Sequence, residues 1–480
     1  MTDDPVDSAS PTAETGPYSA AIGRYIESSR TGDLPPALAD HVKLLILDSL
    51  GCALFAARLP WTERVLDTLV AVEGAGPASV WGHTPRLSAA NAAMVNGTAV
   101  HGFELDDVGA RGHWGSVTVT SALALAESAD GPALSGEDLL RAVVTGIEVG
   151  SRVAACVGNV PHVTCGFHGP GVIGALAAAA TSAAVLRLDA LTSVYAMANA
   201  AQFASGLMGV HHDGMGKRLL QGKAAHSGVL AAELARHGFT NITNVFECGY
   251  GSFPSAFSGG RDTFELDQLV AGLGEEYRAY GVNFKLWPAR VPIHPALEAV
   301  RALLDDGLDP AAVERVEVAL VEGAYKAVGA PYRPTTVTAA QLNLRYCVAQ
   351  LIMSGHLSAA EFTETAIRDP QVLDLAGRVQ VSQLDTNPTD AAFLPQVTLE
   401  VVLSDGTRLR QQGRQRSATH DPVGRADVVG KFMRITAGVL EPDRQRSLIA
   451  LCDDLHDLPD ARVLAQSVRS ADAKGDNGGR

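Results

Sequence analysis

The hydrophobic positions follow a helical period from about residue 17 to 270. The segment PPALADHVKLLILDSLGCALFAA, residues 35–57, begins with two prolines and then repeats apolar residues every three or four positions, which predicts a helix. Residues 135–157 open with Ser135 and carry Asp138 three positions later, which resembles a capping box with Asp in place of Glu or Gln. A later helix is predicted to stop at Gly238.

The pattern changes near residue 280. RVEVALVEG (315–323) and PQVTLEVVLSDGTRLRQQG (395–413) alternate apolar and polar residues, and the second contains Asp405-Gly406, which predicts strands and a hairpin turn. TAAQLNLRYCVAQLIMSG, residues 338–355, predicts a helix between them, and helical spacing returns after about residue 423. These segments indicate a compact α+β unit inserted between helical ones.

The predicted fold is therefore mainly α, with one large, discontinuous, all-helical domain and one smaller α+β domain. The predicted boundaries are a disordered acidic tail at 1–16, the helical domain at 17–278 and 423–468, the α+β domain at 279–422, and a flexible tail at 469–480. A chain of 480 residues is long enough for two hydrophobic cores.

Composition argues against several classes of binding partner. The formal net charge of −15 argues against a general nucleic-acid or anionic-membrane surface. No run of about 18 apolar residues is present, so we expect no membrane span. The N-terminal segment lacks the features of a signal peptide, and the six cysteines are scattered without a CxxC pair. Together these features favour a reducing, cytoplasmic location.

HGFELDDVGARGHWG, residues 101–115, places Glu104, Asp106 and Asp107 between His101 and His113. The histidines lie twelve residues apart, without the close helical spacing of metal-binding histidine pairs, so we predict no metal site. Two interpretations remain open. The carboxylates cap the following helix and bind loop backbone, or the stretch is one wall of an acid/base pocket.

CGFHGPGVIGAL places His168 directly before a predicted apolar helix. A helix N-terminus favours anions and lowers the pKa of a histidine, which keeps the ring neutral and able to accept a proton. A capping or packing role for His168 is the alternative.

HHDGMGKRLLQGKAAHSG places Lys217, Arg218 and Lys223 after glycines at the start of a helix, a plausible carboxylate or phosphate cradle. The P-loop pattern is absent. His212 lies just before this cradle.

Further cations and a phenol lie around the presumed domain junction. VNFKLWPARVPIHPALEAV contributes Lys285, Arg290 and His294, and EGAYKAVGAPYRP contributes Tyr325. Ligand sites prefer such junctions. Cations that hold carboxylates, together with His or Lys groups that move a proton, suit proton abstraction α to a carboxylate. The sequence therefore favours a lyase or isomerase over a hydrolase.

Six separated motifs resemble the MmgE/PrpD family in their order and spacing, over about residues 17 to 465. They are DSLGCALFAA, NGTAVHGFELDD with GHWGS, GIEVGSRV, GFHGPGVIGAL, GKRLLQGKAAHSG and FKLWPARVPIHPALEAV. The resemblance implies a helical domain with an α+β lid, a homodimer, an active site in the cleft between the domains, and cofactor-independent chemistry on di- and tricarboxylates.

Carried over by motif, the resemblance implies a pocket of seven residues: Glu104, Asp107, His113, His168, Lys217, Lys285 and Tyr325. The chain departs from the D-F-D-D-T-like loop of the decarboxylase and dehydratase branches. It reads E-L-D-D-V, so Glu104 stands in place of Asp and Val108 in place of Thr. We expect these two positions to affect which substrate is used.

The leading hypothesis is a cofactor-independent and metal-independent lyase that dehydrates or decarboxylates a small di- or tricarboxylate. The alternatives are an epimerase or isomerase of a dicarboxylate such as an iminodisuccinate-like compound, and a catalytically silent binding protein. The predicted catalytic residues are His113, His168, Lys217 and Tyr325. The predicted substrate-binding residues are Glu104, Asp107, Lys285, Arg218 and His212.

Overall fold

The computed structural model describes residues 15–128, 133–158, 165–211, 214–384, 397–414, 416 and 421–470. Most of both predicted tails lies outside these residues. The helices are α1 (Pro17–Ser28), α2 (Pro36–Ala56), α3 (Pro60–Glu73), α4 (Ala89–His101), α5 (Gly115–Ser128), α6 (Gly136–Val157), α7 (Gly169–Val185), α8 (Ala190–Phe203), α9 (Gly216–Arg236), α10 (Phe253–Phe257), α11 (His294–Asp305), α12 (Glu322–Val328), α13 (Val337–Gln341), α14 (Leu344–Ser354), α15 (Pro370–Arg378), α16 (Arg425–Ile435), α17 (Pro442–Asp453) and α18 (Arg462–Ser467). This architecture, mainly α with a smaller α+β part, is the predicted fold class.

The structure confirms the predicted start of α6 and the predicted end of α9. Ser135 Oγ accepts a hydrogen bond from the backbone N–H of Asp138 at 3.1 Å, and α6 begins at Gly136, directly after Ser135. Helix α9 ends at Arg236, just before Gly238, whose φ is +85°. A left-handed conformation of this kind favours glycine, so Gly238 ends the helix.

Helices α4 and α9 cross at close range at two glycines. A Cβ atom on Gly222 of α9 would overlap the carbonyl oxygen of Met94, and one on Gly97 of α4 would lie 2.9 Å from Gly222 Cα. Only small residues permit this approach. The crossing matters for the site because His101 ends α4 and Lys217 lies in the first turn of α9, at the same end of the pair.

The α+β part is built on a four-stranded sheet. Its strands are β5 (Val313–Leu320), β6 (Val379–Gln383), β7 (Val397–Leu403) and β8 (Arg408–Gly413), in the spatial order β6-β5-β7-β8. Strand β5 runs parallel to β6 and antiparallel to β7, and β7 and β8 form the predicted hairpin. Helix α11 packs across β7 and β8.

The helix predicted over residues 338–355 is in fact two helices, α13 and α14. Asn343 causes the break, because its side-chain oxygen accepts a hydrogen bond from the backbone N–H of Tyr346 at 3.2 Å and starts α14 afresh. The apolar spacing runs through the break, so the pattern did not reveal it. The break leaves Gln341 at the end of α13, where its side chain serves the site described below.

Two short strand pairs lie outside the four-stranded sheet, and three of their four strands fall in the part predicted to be all-helical. Strands β1 (Ala78–Ser79) and β2 (Arg86–Leu87) pair with each other, and β3 (Asp107–Gly109) pairs with β4 (Val282–Phe284). Strands of two or three residues are too short to show alternation, so the sequence pattern did not predict them.

After the sheet, the chain returns to the helical part. Helices α16 and α17 pack on α2, and Lys431 Nζ of α16 donates to Asp48 Oδ1 of α2 at 2.6 Å. Lys431 Nζ also donates to the carbonyl oxygen of Leu105, so the returning segment holds the carboxylate loop, residues 102–114 between α4 and α5. Across the described ranges, no helix combines the length and the apolar character required to cross a bilayer.

Candidate functional site

The carboxylate loop lies between α4 and α5, and strand pairing ties it to the junction of the two parts. Glu104 adopts a left-handed backbone with φ +59°, which is uncommon for a residue other than glycine. Asp107 begins β3 and lies opposite Phe284 in β4. Because Lys285 follows Phe284 directly, this register brings Lys285 to the loop.

Glu104 lies among buried cations. Lys217 Nζ donates a hydrogen bond to Glu104 Oε1, Lys285 Nζ donates to Oε2 at 3.2 Å, and Arg218 Nη1 lies 3.9 Å from Oε1. All four side chains are at most 5% exposed. Burial lowers the pKa of Lys217 well below its ordinary value, and the charges of Arg218, Lys285 and Arg290 lower it further. Three basic side chains therefore lie around the single carboxylate of Glu104.

Asp106 joins this cluster to two histidines. Its Oδ1 accepts a hydrogen bond from Lys285 Nζ at 3.2 Å, and its Oδ2 lies 2.7 Å from His101 Nδ1 and 3.3 Å from His113 Nδ1. Burial opposes ionisation of Asp106, but Lys285, His101 and His113 outweigh it and hold the pKa well below its usual range. Asp106 is therefore an ionised acceptor for Nδ1–H donors.

His101 is the histidine that the sequence analysis did not select. Burial lowers its pKa well below the ordinary value, so the ring is neutral. Its Nδ1 donates to Asp106, which leaves the lone pair on Nε2. This buried Nε2 has no hydrogen-bond partner within the described residues. A carboxylate that fixes the tautomer of a histidine is the usual support of a general base.

His113 and His168 lie on either side of this pair, with ring centroids 4.9 Å and 6.4 Å from that of His101. His113 Nδ1 donates to the carbonyl oxygen of Asp107 at 2.7 Å, so Nε2 is the atom left to exchange a proton. His168 Nδ1 accepts from the backbone N–H of Gly171 at 3.1 Å, so the neutral ring carries its proton on Nε2. The backbone thus holds the two predicted catalytic histidines in opposite tautomers.

Asp107 has the capping role that was one of the two interpretations of the loop. Its carboxylate accepts from the backbone N–H of Trp114 at 2.6 Å and from that of Gly115 at 2.9 Å, at the start of α5. Burial and the neighbouring Asp106 raise the pKa of Asp107 to about 7. Asp106, in contrast, makes no cap among the described residues. A substrate-binding role for Asp107 stays a prediction.

Arg218 connects the cluster to the α+β part. Its Nη2 donates to Thr338 Oγ1 at 2.9 Å and to Gln341 Oε1 at 2.6 Å. Gln341 Nε2 in turn donates to the carbonyl oxygens of Phe103, at 2.9 Å, and Pro288, at 3.1 Å. Gln341 therefore fixes the Arg218 guanidinium relative to the backbone beside Glu104.

Tyr325 is a predicted site residue that makes no hydrogen bond to the cluster within the described residues. Tyr325 lies on α12, is 37% exposed, and its hydroxyl makes no hydrogen bond in the part of the chain that the structure describes. His212 lies outside the described residues. Their predicted roles stay predictions.

Two basic residues from the same motifs have structural partners instead. Lys223 Nζ donates to the carbonyl oxygen of Phe203 and to Ser205 Oγ, so it holds the segment after α8. His294 is buried, its Nε2 donates to the carbonyl oxygen of Ala289 at 2.9 Å, and burial lowers its pKa to about 3. Neither residue makes a hydrogen bond to the carboxylate loop within the described residues.

The histidines and Asp106 also lie close enough to hold a metal ion. One ligand atom from each of His101, Asp106 and His113 lies within 4.8 Å of the others. The prediction of no metal site rests on the twelve-residue separation of His101 and His113 along the chain. That separation does not show how close the two side chains lie in the fold. The shared carboxylate already accepts a hydrogen bond from Lys285, so a cation there would lie beside an ammonium group. The absence of a metal stays a prediction.

His101, Asp106 and Gln341 are the site residues that sequence reasoning missed. His101 and Asp106 belong to the stretch of residues 101–115, but the sequence spacing of its histidines bears on metal ligation and does not reveal a hydrogen-bonded pair five residues apart. Gln341 gave no signal, because it lies inside an apparently continuous helix.

Two protein-family models match most of the chain. The MmgE/PrpD N-terminal domain model matches residues 20–265, and the MmgE/PrpD C-terminal domain model matches residues 287–457. Cis-aconitate decarboxylase of Aspergillus terreus is 26% identical over 478 residues, covering 96% of this chain and 97% of that protein. Cis-aconitate decarboxylase of Mus musculus is 28% identical, covering 92% of each chain.

A third relative, cis-aconitate decarboxylase-like protein oryM of Aspergillus oryzae, is 28% identical and covers 89% of this chain and 92% of its own length. The named decarboxylases are carboxy-lyases, in agreement with the predicted enzyme class. Since the two domain models together match most of the chain in the expected order, the chain belongs to the MmgE/PrpD family.

Proposed function

We propose that this protein is a lyase that removes one carboxylate from a small tricarboxylate of the cis-aconitate type, without a metal or cofactor. The observation that carries the proposal is the attachment of Lys217 and Lys285 to the two oxygens of Glu104, beside histidines in fixed tautomers. Buried cations bind substrate carboxylates and stabilise the negative charge that develops during the reaction. The named decarboxylases among the relatives support this reaction over others of the family.

In the proposed reaction, Lys217, Lys285 and Arg218 bind the carboxylates that remain on the product. The bond to the leaving carboxylate breaks and CO2 departs. The electron pair of that bond forms a new double bond, while the electrons of the old double bond take up the proton that His168 carries on Nε2. One proton is consumed for each CO2 released, and His168 regains it from solvent.

Epimerisation is the second candidate, and the opposite tautomers of His113 and His168 are the observation that favours it. One Nε2 bears a lone pair and the other a proton, which is the equipment for removing a proton from one side of a carbon and returning one from the other. Dehydration uses the same groups with loss of water in place of CO2.

One experiment separates these reactions. Purified enzyme is incubated in D2O with cis-aconitate, 2-methylcitrate and dicarboxylates, and the products are followed by 13C NMR. Decarboxylation gives CO2 and one deuterium in the product, dehydration gives an alkene without CO2, and epimerisation gives deuterium wash-in alone. If none of the panel is turned over or raises the melting temperature, the proposal is wrong. Tight binding without turnover would instead indicate the silent binding protein.

A further inference from the structure

An apolar cavity of about 580 Å³ lies between the two parts of the protein. From the helical part it is lined by Trp61, Phe103 and Met215, and from the α+β part by Val337 and Phe362. A second cavity of about 340 Å³ shares Trp61 and Met215 with the first. Pockets of this size and apolar lining are typical of small-molecule sites.

The cavity borders the cationic cluster, Lys217, Arg218 and Lys285, at Arg218. This residue lines the cavity, its guanidinium lies 5.0 Å from the centre of the Trp61 ring, and its Nη1 lies 3.9 Å from Glu104 Oε1. Phe103, another lining residue, directly precedes Glu104. One guanidinium therefore separates the apolar wall from the polar groups.

Arg218 also has hydrogen-bonding capacity that the described residues do not use. Thr338 and Gln341 hold its Nη2, but its buried Nε and Nη1 donate no hydrogen bond within the described residues. A buried guanidinium with free donors beside an apolar cavity suits a ligand that carries a carboxylate at one end and hydrocarbon at the other.

We propose that this cavity binds the alkyl chain of an alkyl-substituted di- or tricarboxylate whose carboxylates lie at Arg218 and Lys217. The assignment of the carboxylate end rests on the proposed function. A small unsubstituted tricarboxylate is polar throughout and leaves an apolar cavity of this volume unused. The alkyl chain removes the Trp61, Phe103 and Phe362 surfaces from water, which favours binding in proportion to the area buried.

The test measures binding of a series of 2-alkylsuccinates, from methylsuccinate to octylsuccinate, to the full chain by isothermal titration calorimetry. In the wild type, the dissociation constant is expected to fall about fourfold per added methylene until the chain fills the cavity. Ala360→Trp places an indole in the cavity and is expected to abolish the dependence on chain length. Ala311→Trp is the matched control, expected to keep the wild-type dependence. Both alanines are exposed, lie in three-residue 3-10 turns, and have a backbone N–H bonded to the side chain two residues earlier.

The outcomes separate this inference from the proposed reaction. Affinity that does not change with chain length overturns the cavity assignment, even if cis-aconitate is decarboxylated. A chain-length dependence that Ala360→Trp removes supports the assignment, even if no decarboxylation is detected. An equal loss of the dependence in Ala311→Trp contradicts it, since the effect would then not arise from the cavity. Dissociation of a dimer by Ala360→Trp, with affinity independent of chain length, would identify the cavity as a contact with a second copy.

Discussion

His101 Nδ1 lies 2.7 Å from Asp106 Oδ2, with both side chains at most 1% exposed. The pair lies between the cationic cluster and the other two histidines, so the charge on Asp106 affects both. The Asp106 carboxylate fixes the tautomer of His101, lies 3.3 Å from His113 Nδ1, and accepts a hydrogen bond from Lys285.

Asp106→Asn is therefore expected to lower kcat by about 10²- to 10⁴-fold, the usual size of an acid/base contribution. The amide keeps the volume but removes the charge that holds the Nδ1–H donors. The measurement is steady-state turnover of cis-aconitate, with Asp374→Asn as the control, because Asp374 pairs with Arg378 on the surface. A kcat within threefold of wild type in Asp106→Asn would show that the pair is structural only.

Lys285→Met is expected to weaken binding of the unreactive analogue tricarballylate by about 10- to 100-fold, the value of a charged hydrogen bond. It also leaves Glu104 and Asp106 with less compensation, so the free energy of unfolding should fall by about 3–5 kcal/mol. Calorimetric binding and urea unfolding measure the two effects. Lys326→Met, at an exposed lysine paired with Glu322, serves as the control and should change neither. Unchanged affinity in Lys285→Met would remove this lysine from the binding site.

Asp107 makes stability depend on pH. Its folded pKa of about 7 lies above its ordinary value of 3.8. The folded protein therefore holds a proton that the unfolded chain has released between these two pH values. The stabilisation is present below pH 3.8 and is lost as the pH rises towards about 7. The slope is at most about 1.4 kcal/mol per pH unit.

Urea unfolding of wild type and Asp107→Asn between pH 4 and 8 tests this dependence. The difference between their free energies of unfolding should change with pH in favour of the variant as the pH rises. A constant difference across this range would mean that Asp107 is already ionised at low pH and acts only as a cap.

Removal of metal ions is expected to leave turnover unchanged, because Lys285 and Arg218 supply the positive charge that a metal would otherwise provide. The enzyme is dialysed against EDTA and assayed with cis-aconitate before and after addition of Zn²⁺, Mg²⁺ or Mn²⁺. Loss of activity on dialysis, with recovery on adding one metal, would instead assign an ion to His101, Asp106 and His113.

The sequence by itself determined the local elements and the order of the motifs. Helix starts and ends at Ser135 and Gly238, the hairpin at Asp405-Gly406 and the change to an α+β pattern depend on near neighbours, so they can be seen in short windows of sequence. The same motifs selected His113, His168, Lys217 and Lys285, and the family resemblance assigned them to one pocket.

Only the tertiary structure decided which polar groups meet. The β3–β4 register brings Lys285 to the carboxylate loop, and the close crossing of α4 and α9 brings Lys217 to Glu104. A buried charge must find a partner, and these partners come from segments far apart in the chain. Asp107 caps a helix, whereas its neighbour Asp106 lies against His101 and His113. Spacing along the sequence could not predict this difference, because it depends on long-range packing.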